Sequence, residues 1–331
     1  MKKISKLVFI LMVFSLSMQA CNLPSNNNSQ EPTIAPTQAP IATAVETPQE
    51  EKLVKPSSGI DTVARGHDNE ESTSFAQKSI KDGELYDKNR FERPFTAKDM
   101  TYIPDVDIKD FNMLKDSNFY YAQIILTGLN PQKDNVTGYY GVEMDLNLDG
   151  RSDFLIITKS PLTSDWSREG VAAYLDSNGD VGGARPTHAD SSYTGDGFDA
   201  ALYDSGRGPE PDMAWARAVT GPDKAIVEIA FKPSLLQNYQ NYKNFLFDVM
   251  ASSTPLDPAK MYYSDSMSQT AAGSPIKGDY YPLKGLSAFD NTCRIPVGFE
   301  ATGSEPLGCF AVGPDKDPAP APPIVVPGKK G

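Results

Sequence analysis

Between residues 85 and 310 the chain alternates short apolar runs with turn residues, a pattern typical of β-strands. Helical periodicity is sparse, and Pro233–Leu236 alone favours a short helical turn. The predicted strands are 119–126, 139–146, 153–159, 171–176, 198–204, 213–219, 225–231 and 244–252. Many short strands at this spacing predict an all-β domain over residues 85–310, folded as a two-sheet, jelly-roll-like antiparallel β-sandwich.

Three flanking segments lack this pattern. Residues 21–60 are rich in Pro, Thr and Asn and contain no aromatic residue, so they cannot bury enough apolar surface to fold. We expect them to form a disordered tether, followed by a polar lead-in over 61–84. Residues 311–331 are rich in proline without a repeat, and we expect a disordered tail.

Residues 1–20 have the composition of an export signal, with a basic start and an apolar run, 7–16, that is too short to span a bilayer. The segment ends in Met18-Gln19-Ala20-Cys21, which resembles the lipobox of bacterial lipoproteins. The resemblance implies cleavage before Cys21 and acylation of that cysteine. It also implies a protein held by lipid on the outer face of the cell membrane or on the outer membrane. The alternative is an ordinary secretory signal with a chance cysteine.

Charge and cysteine content narrow the possible partners. The net charge is −12, and it becomes −15 once the signal with its three lysines is removed. An acidic chain argues against binding to nucleic acid or to anionic lipid surfaces, and the sequence has no Gly-rich phosphate loop that would predict nucleotide binding.

With Cys21 assigned to lipid, the two remaining cysteines, Cys293 and Cys309, predict a disulfide. A cysteine metal site or a reactive thiol is the alternative.

The strongest chemical signal is an acidic loop between two predicted strands. Oxygen donors at alternate positions, followed by a glycine that permits a sharp turn, suit a Ca²⁺ ion, which takes six to eight oxygen ligands. The predicted ligands are Asp145, Asn147, Asp149, the backbone carbonyl of Arg151, and Asp153. The start of the loop matches an EF-hand, but Ile156 stands where that loop has its Glu. The alternative is a polar turn.

A shorter loop with Asp176, Asn178 and Asp180 gives a weaker calcium prediction, because its Asn-Gly pair already suits a tight hairpin.

The sequence contains few indications of a catalytic site. Since His188 is the domain's one histidine, a histidine triad is poorly supplied. Glu143, Glu169 and Glu228 are the carboxylates considered for sugar hydrolysis, although spacing in sequence says nothing of their separation. No catalytic residue is predicted.

Aromatic residues offer a second functional signal. Trp166 and Tyr193 lie in loop-like sequence, where an accessible ring beside polar groups suits the stacking of a sugar. Trp215 lies in an alternating run, and a role in the core or on a sheet face is favoured over ligand binding. Trp166, Tyr193 and Trp215 are therefore the candidate ligand-binding residues.

The order of several motifs resembles the β-sandwich superfamily of family 9 carbohydrate-binding modules and DOMON domains. The motifs are YYGVEMDLNLDGRSDFLI, VAAYLDSNGDVG, YTGDGFDAALYDSG, AIVEIAFKPSLL and NFLFDVMASST. The resemblance implies a two-sheet sandwich, a structural Ca²⁺ and a site for sugar or haem. The tryptophan pair of the binding modules corresponds loosely to Trp166 and Trp215, and His188 with Met213 is a poor pair of haem ligands.

Together these observations predict a lipid-anchored, calcium-stabilised module that binds carbohydrate without catalysis. A structural or protein-interaction module of the cell envelope is the alternative. A glycoside hydrolase or a haem-binding DOMON protein is a more distant one.

Overall fold

The computed structural model describes residues 53–57, 61–68, 91–97, 99–181, 196–237, 242–263 and 287–307. The strands in this part of the chain are β1 (Asp61–His67), β2 (Glu92–Arg93), β3 (Ile108–Lys115), β4 (Tyr120–Leu126), β5 (Tyr139–Asp145), β6 (Phe154–Lys159), β7 (Val171–Leu175), β8 (Ala200–Asp204), β9 (Ala214–Gly221), β10 (Lys224–Phe231), β11 (Phe245–Ser252), β12 (Phe289–Asn291) and β13 (Ile295–Val297). Two short 3-10 helices cover Pro233–Leu236 and Pro258–Tyr263.

The strands form two antiparallel sheets. The first has five strands in the order β1-β3-β4-β10-β9. The second has the order β2-β12-β11-β5-β6-β7-β8, and β13 pairs with β11 beside this path. The fold is therefore an all-β sandwich, as the alternating pattern predicts.

The core lies between the sheets and is built from every second residue of the central strands. Phe111 of the first sheet meets Phe247 of the second edge to face, with ring centroids 5.7 Å apart. Both rings are fully buried, and burying one such side chain contributes roughly 1.5–3 kcal/mol. This packing makes the sandwich a rigid support for its loops.

The structure confirms the eight predicted strands and the short helical turn at Pro233–Leu236. The expectation that residues 61–84 only lead into the domain is wrong at its start, because Asp61–His67 pairs with β3 as an edge strand. The expected tether also ends earlier than residue 60, since the N–H of Val54 bonds to Asp212 and that of Ser57 to Tyr121 of β4. In the part of the chain that the structure describes, no helix has the length and apolarity needed to cross a bilayer.

Candidate functional site

Two acidic loops emerge from the same end of the second sheet. Strands β5, β6, β7 and β8 are consecutive and antiparallel, so the β5–β6 and β7–β8 connections share that end. Arg151 in the first loop donates from Nη1 to the carbonyl of Gly179 in the second, at 2.7 Å. The two loops that the sequence singles out are therefore in direct contact.

The carboxylates at the two ends of the first loop accept bonds from the backbone between them. Asp145 accepts from the N–H groups of Leu148 (2.7 Å) and Gly150 (2.9 Å). Asp153 accepts from the N–H of Leu146 at 2.6 Å. Gly150 has φ +90°, which confirms the sharp turn expected after the third donor.

The middle of this loop follows the same scheme. Asn147 accepts from the N–H of Asp149 at 2.8 Å, and Asp149 accepts from the N–H of Arg151 at 2.9 Å. These are Asx turns, in which a side-chain oxygen holds the backbone two residues further on. The oxygens predicted to bind calcium therefore also wind the loop, and each keeps a further lone pair.

The second loop is wound in a similar way around one carboxylate. Asp176 accepts from the backbone N–H groups of residues 178–181 at 2.8 to 3.3 Å. Asp180 accepts from the N–H groups of Asp196 (2.8 Å) and Gly197 (3.0 Å), which fixes the return of the chain toward β8. Asp176 is buried and holds the first turn of this loop.

A buried polar cluster lies beneath the first loop. Arg294 donates from Nη1 to the carbonyl of Gly150 (2.7 Å) and from Nη2 to Ser152 Oγ (3.1 Å). Ser152 Oγ in turn donates to Glu143 at 2.8 Å. Asp248 stands directly opposite Glu143 on β11, and its carboxylate lies 4.0 Å from Arg294 Nε.

Burial dominates the electrostatics of these carboxyl groups. Burial raises the pKa of Glu143 and, together with the charge of Glu143, raises the pKa of Asp248 well above its usual range, while Arg294 opposes both effects. In the loop, burial raises the pKa of Asp145 and raises that of Asp153 to about 6, against the backbone N–H bonds that lower both. Arg294 is therefore a cation that offsets the negative charge of these carboxylates.

The three aspartates of the first loop do not bring their carboxylate oxygens together. Within the described ranges, the one group of three acidic, histidine or cysteine ligand atoms that lie within 4.8 Å of one another is formed by Asp68, Glu92 and Asp290. That group lies at the opposite edge of the second sheet from β8, and no sequence pattern predicts it because its members are far apart in the chain.

Trp166 is buried, and the expectation of an accessible indole is wrong. Its side chain packs against Tyr121, with ring centroids 5.8 Å apart, and under the guanidinium of Arg217 at 4.4 Å. Its Nε1 donates to the carbonyl of Ser57 at 3.2 Å. Only 7% of the residue is exposed, so Trp166 offers no open platform for a sugar.

Trp215 lies in the same aromatic cluster, on the outer face of the first sheet. It is 6% exposed, and its Nε1 donates to the carbonyl of Asp212 at 3.1 Å. The preferred expectation of a sheet-face role is confirmed. The structure thus brings the two tryptophans together, but inside the protein rather than on a binding surface.

Several predicted residues lie outside the described ranges, namely Cys21, Tyr193, His188 and Cys309. The Cys293–Cys309 disulfide therefore stays a prediction. The backbone next to it is consistent with pairing, because the N–H of Arg294 donates to the carbonyl of Leu307 at 2.8 Å.

Of the three carboxylates considered for sugar hydrolysis, Glu169 lies in the β6–β7 loop and the other two lie on different sheets. Glu143 lies on the second sheet, whereas Glu228 lies on the first, where it pairs with Arg217 and accepts from Gln123 at 2.6 Å. Met213, the methionine considered for haem, is a buried core residue. These placements give no support to the hydrolase or haem alternatives.

An open cleft lies at the other end of the sandwich. It is bounded by residues 127–134 before β5 and by the β9–β10 hairpin, residues 220–224, and its volume is about 610 Å³. Its lining is mixed, with Asn130, Asp134 and Asp223 beside Leu129 and Pro222. A cleft of this size matches the range of small-molecule sites, which is roughly 300–1,000 Å³.

Comparison of the chain with protein-family models and with curated proteins finds no match. The resemblance to carbohydrate-binding modules and DOMON domains therefore stays a hypothesis.

Proposed function

We propose that this chain is a non-catalytic binding module of the bacterial cell surface, anchored by lipid on Cys21, in which calcium orders the acidic end of the sandwich. One observation carries the proposal: two loops rich in Asp and Asn lie side by side and are joined by Arg151 and Gly179. Loops held on a rigid sheet are where binding proteins place their recognition groups.

Calcium would be held by Asp145, Asn147, Asp149, the carbonyl of Arg151 and Asp153, with Asp176, Asn178 and Asp180 as a weaker second set. Oxygen-only donors are what this hard cation prefers. Positive charge from the ion would add to that of Arg294 and offset the repulsion among the loop carboxylates, which is why binding should stabilise the fold.

The ligand class that suits the site best is carbohydrate. Carboxylate, amide and guanidinium groups crowd the acidic end, and the lining of the cleft at the other end includes carboxylate and amide side chains. Such groups hydrogen-bond to sugar hydroxyls. Burial of both tryptophans favours the second candidate, a structural or protein-interaction module, because stacking on Trp166 or Trp215 is not open to a ligand.

The calcium proposal is tested by thermal unfolding of the exported chain with calcium or with EGTA. If free calcium exceeds Kd about 100-fold, binding adds about 2.7 kcal/mol, which raises Tm by roughly 5–10 °C for a domain of this size. Asp149→Asn should reduce that rise while keeping an oxygen that accepts the Arg151 N–H. The claim fails if the wild-type melting curve ignores calcium.

The ligand proposal is tested on a glycan array with and without calcium. Asp149→Asn should weaken binding if sugar is held at the acidic end, whereas Asn130→Ala should weaken it if the cleft is the site. Glu169→Gln, a substitution in the β6–β7 loop, serves as the matched control for the loss of one charge. Absence of any glycan signal for the calcium-loaded protein would leave the interaction module as the better proposal.

A further inference from the structure

Three buried acidic side chains meet where one edge of each sheet comes close to the other. Asp68 follows β1, the edge strand of the first sheet, whereas Glu92 in β2 and Asp290 in β12 belong to the edge of the second. One carboxylate oxygen of each lies within 4.8 Å of the other two. Their exposed fractions are 3%, 1% and 0%, so water does not screen their mutual repulsion.

The backbone holds these carboxylates in place. Glu92 stands directly opposite Asp290 in the β2–β12 pair. Asp290 Oδ2 accepts from the N–H of Ile108 at 2.7 Å, which joins the second sheet to β3 of the first. The N–H of Asp68 donates to the carbonyl of Lys109 at 3.0 Å. The group is thus built from strand pairing, not from mobile surface side chains.

The other carboxylate oxygen of Asp290 points to a ligand. Asp290 Oδ1 is buried and has no hydrogen-bond donor, although Oδ2 is bonded. An ionised carboxylate taken out of water is costly unless a cation or donors compensate it. A cation bound by the three carboxylates would supply that compensation.

A fourth buried acid adds to the negative charge of the group. Asp107 is a fourth buried carboxylate, whose charge acts on Asp290 and which accepts from the hydroxyl of Tyr102 at 2.5 Å. Arg93, the residue after Glu92, is a buried cation. A divalent ion held by the carboxylates would lower the repulsion among them.

We propose that Asp68, Glu92 and Asp290 bind a calcium ion that ties the first strand of the domain to the edge of the second sheet. All three side chains offer oxygen, which selects a hard cation over zinc or copper. Mg²⁺ usually keeps several water ligands, and ligands this deeply buried favour an ion that gives up its water more readily. The site is separate from the two acidic loops and does not depend on them.

The test uses the exported chain, unfolded in EGTA and refolded with calcium or with EGTA, because a buried ion enters as the protein folds. Glu92→Gln keeps the shape of the side chain and removes one charge. We expect it to raise Tm in EGTA, since repulsion is relieved, and to abolish the part of the calcium-induced rise that persists in Asp149→Asn. Native mass spectrometry of the chain refolded in calcium should show one calcium ion fewer per chain than in the wild type.

Two further variants make the result decisive. Asp290→Asn keeps an oxygen for the Ile108 N–H and should reproduce the loss of one ion. Asp110→Asn removes a partly exposed carboxylate from β3 and should leave calcium binding unchanged. If Glu92→Gln and Asp290→Asn bind as much calcium as the wild type, the group is neutralised without a metal ion and the proposal is overturned. Because Asp149→Asn reports on the loops alone, failure of either site is distinguishable from failure of the other.

Discussion

Two glycines near the C-terminal end of the described chain share a backbone conformation but differ in their surroundings. Gly298 has φ +84° and Gly303 has φ +90°, a region that costs alanine roughly 1–2 kcal/mol in either place. A Cβ at Gly298 would lie 2.1 Å from the carbonyl oxygen of Lys243, whereas a Cβ at Gly303 would meet nothing within 4 Å. The two positions therefore differ in the room available for a Cβ atom and not in backbone conformation.

We therefore expect Gly298→Ala to lower the free energy of unfolding by about 1–3 kcal/mol more than Gly303→Ala does. The additional loss arises because a backbone oxygen must move. Urea denaturation of the two variants beside the wild type measures the difference. Equal losses would mean that the backbone at Lys243 yields without cost.

Trp166 shows why single residues of the site resist prediction from sequence. Its flanking residues are polar and typical of a loop, so the local pattern favours exposure. Its burial comes from Tyr121, Arg217 and Ser57, which lie 45 to 109 positions away in the chain. The Asp145–Asp153 loop was recognisable because its donors are neighbours in sequence. Asp68, Glu92 and Asp290 were not.

At the scale of elements, residues 53–57 form a short segment that covers the aromatic cluster on the first sheet. The N–H of Val54 donates to Asp212 at 2.7 Å, and the N–H of Ser57 donates to the hydroxyl of Tyr121 at 3.1 Å. Ser57 Oγ donates to Asp116 at 2.9 Å, and Ser57 also accepts from Trp166. Pro56, which lies between Val54 and Ser57 in the sequence, is buried.

Removing this segment should expose Trp166. A chain that begins at residue 53 keeps every one of these bonds and should unfold like the full exported chain. A chain that begins at residue 61 loses them, and we expect a loss of about 1–3 kcal/mol, since each hydrogen bond contributes roughly 0.5–1.5 kcal/mol and ordering the segment offsets part of that. Tryptophan fluorescence should shift to the red and become more sensitive to acrylamide. Identical spectra for the two chains would contradict the covering role.

The success of strand prediction follows from where each strand lies. The central strands β4, β5, β10 and β11 are buried on nearly every residue, and their long apolar runs stand out in the sequence. Edge strand β1 is polar and mostly exposed, while β2, β12 and β13 have two or three residues each. Such strands form because an adjacent strand pairs with them, so their own sequences give little indication of a β-strand.

At the scale of the whole molecule, the two candidate binding regions lie at opposite ends of β5. The cleft borders the residues before Tyr139, and the acidic loops begin at Asp145. Seven strand residues span about 23 Å, which is too far for one small ligand to bridge. Substitutions at one end should therefore act independently of those at the other, and this independence is what lets the glycan array assign a site.

The proposed anchor determines which surfaces of the sandwich can meet a partner. If Cys21 carries lipid, the 31 residues between it and residue 53 set how far the domain reaches from the membrane. Two acyl chains suffice for stable anchoring, and a chain at −15 would gain nothing from an anionic surface. Cys21→Ser should consequently release the protein from the membrane fraction at any salt concentration. Mass spectrometry of the detergent-extracted wild type should show acylation at Cys21, and retention of the variant in salt-washed membranes would refute the lipid anchor.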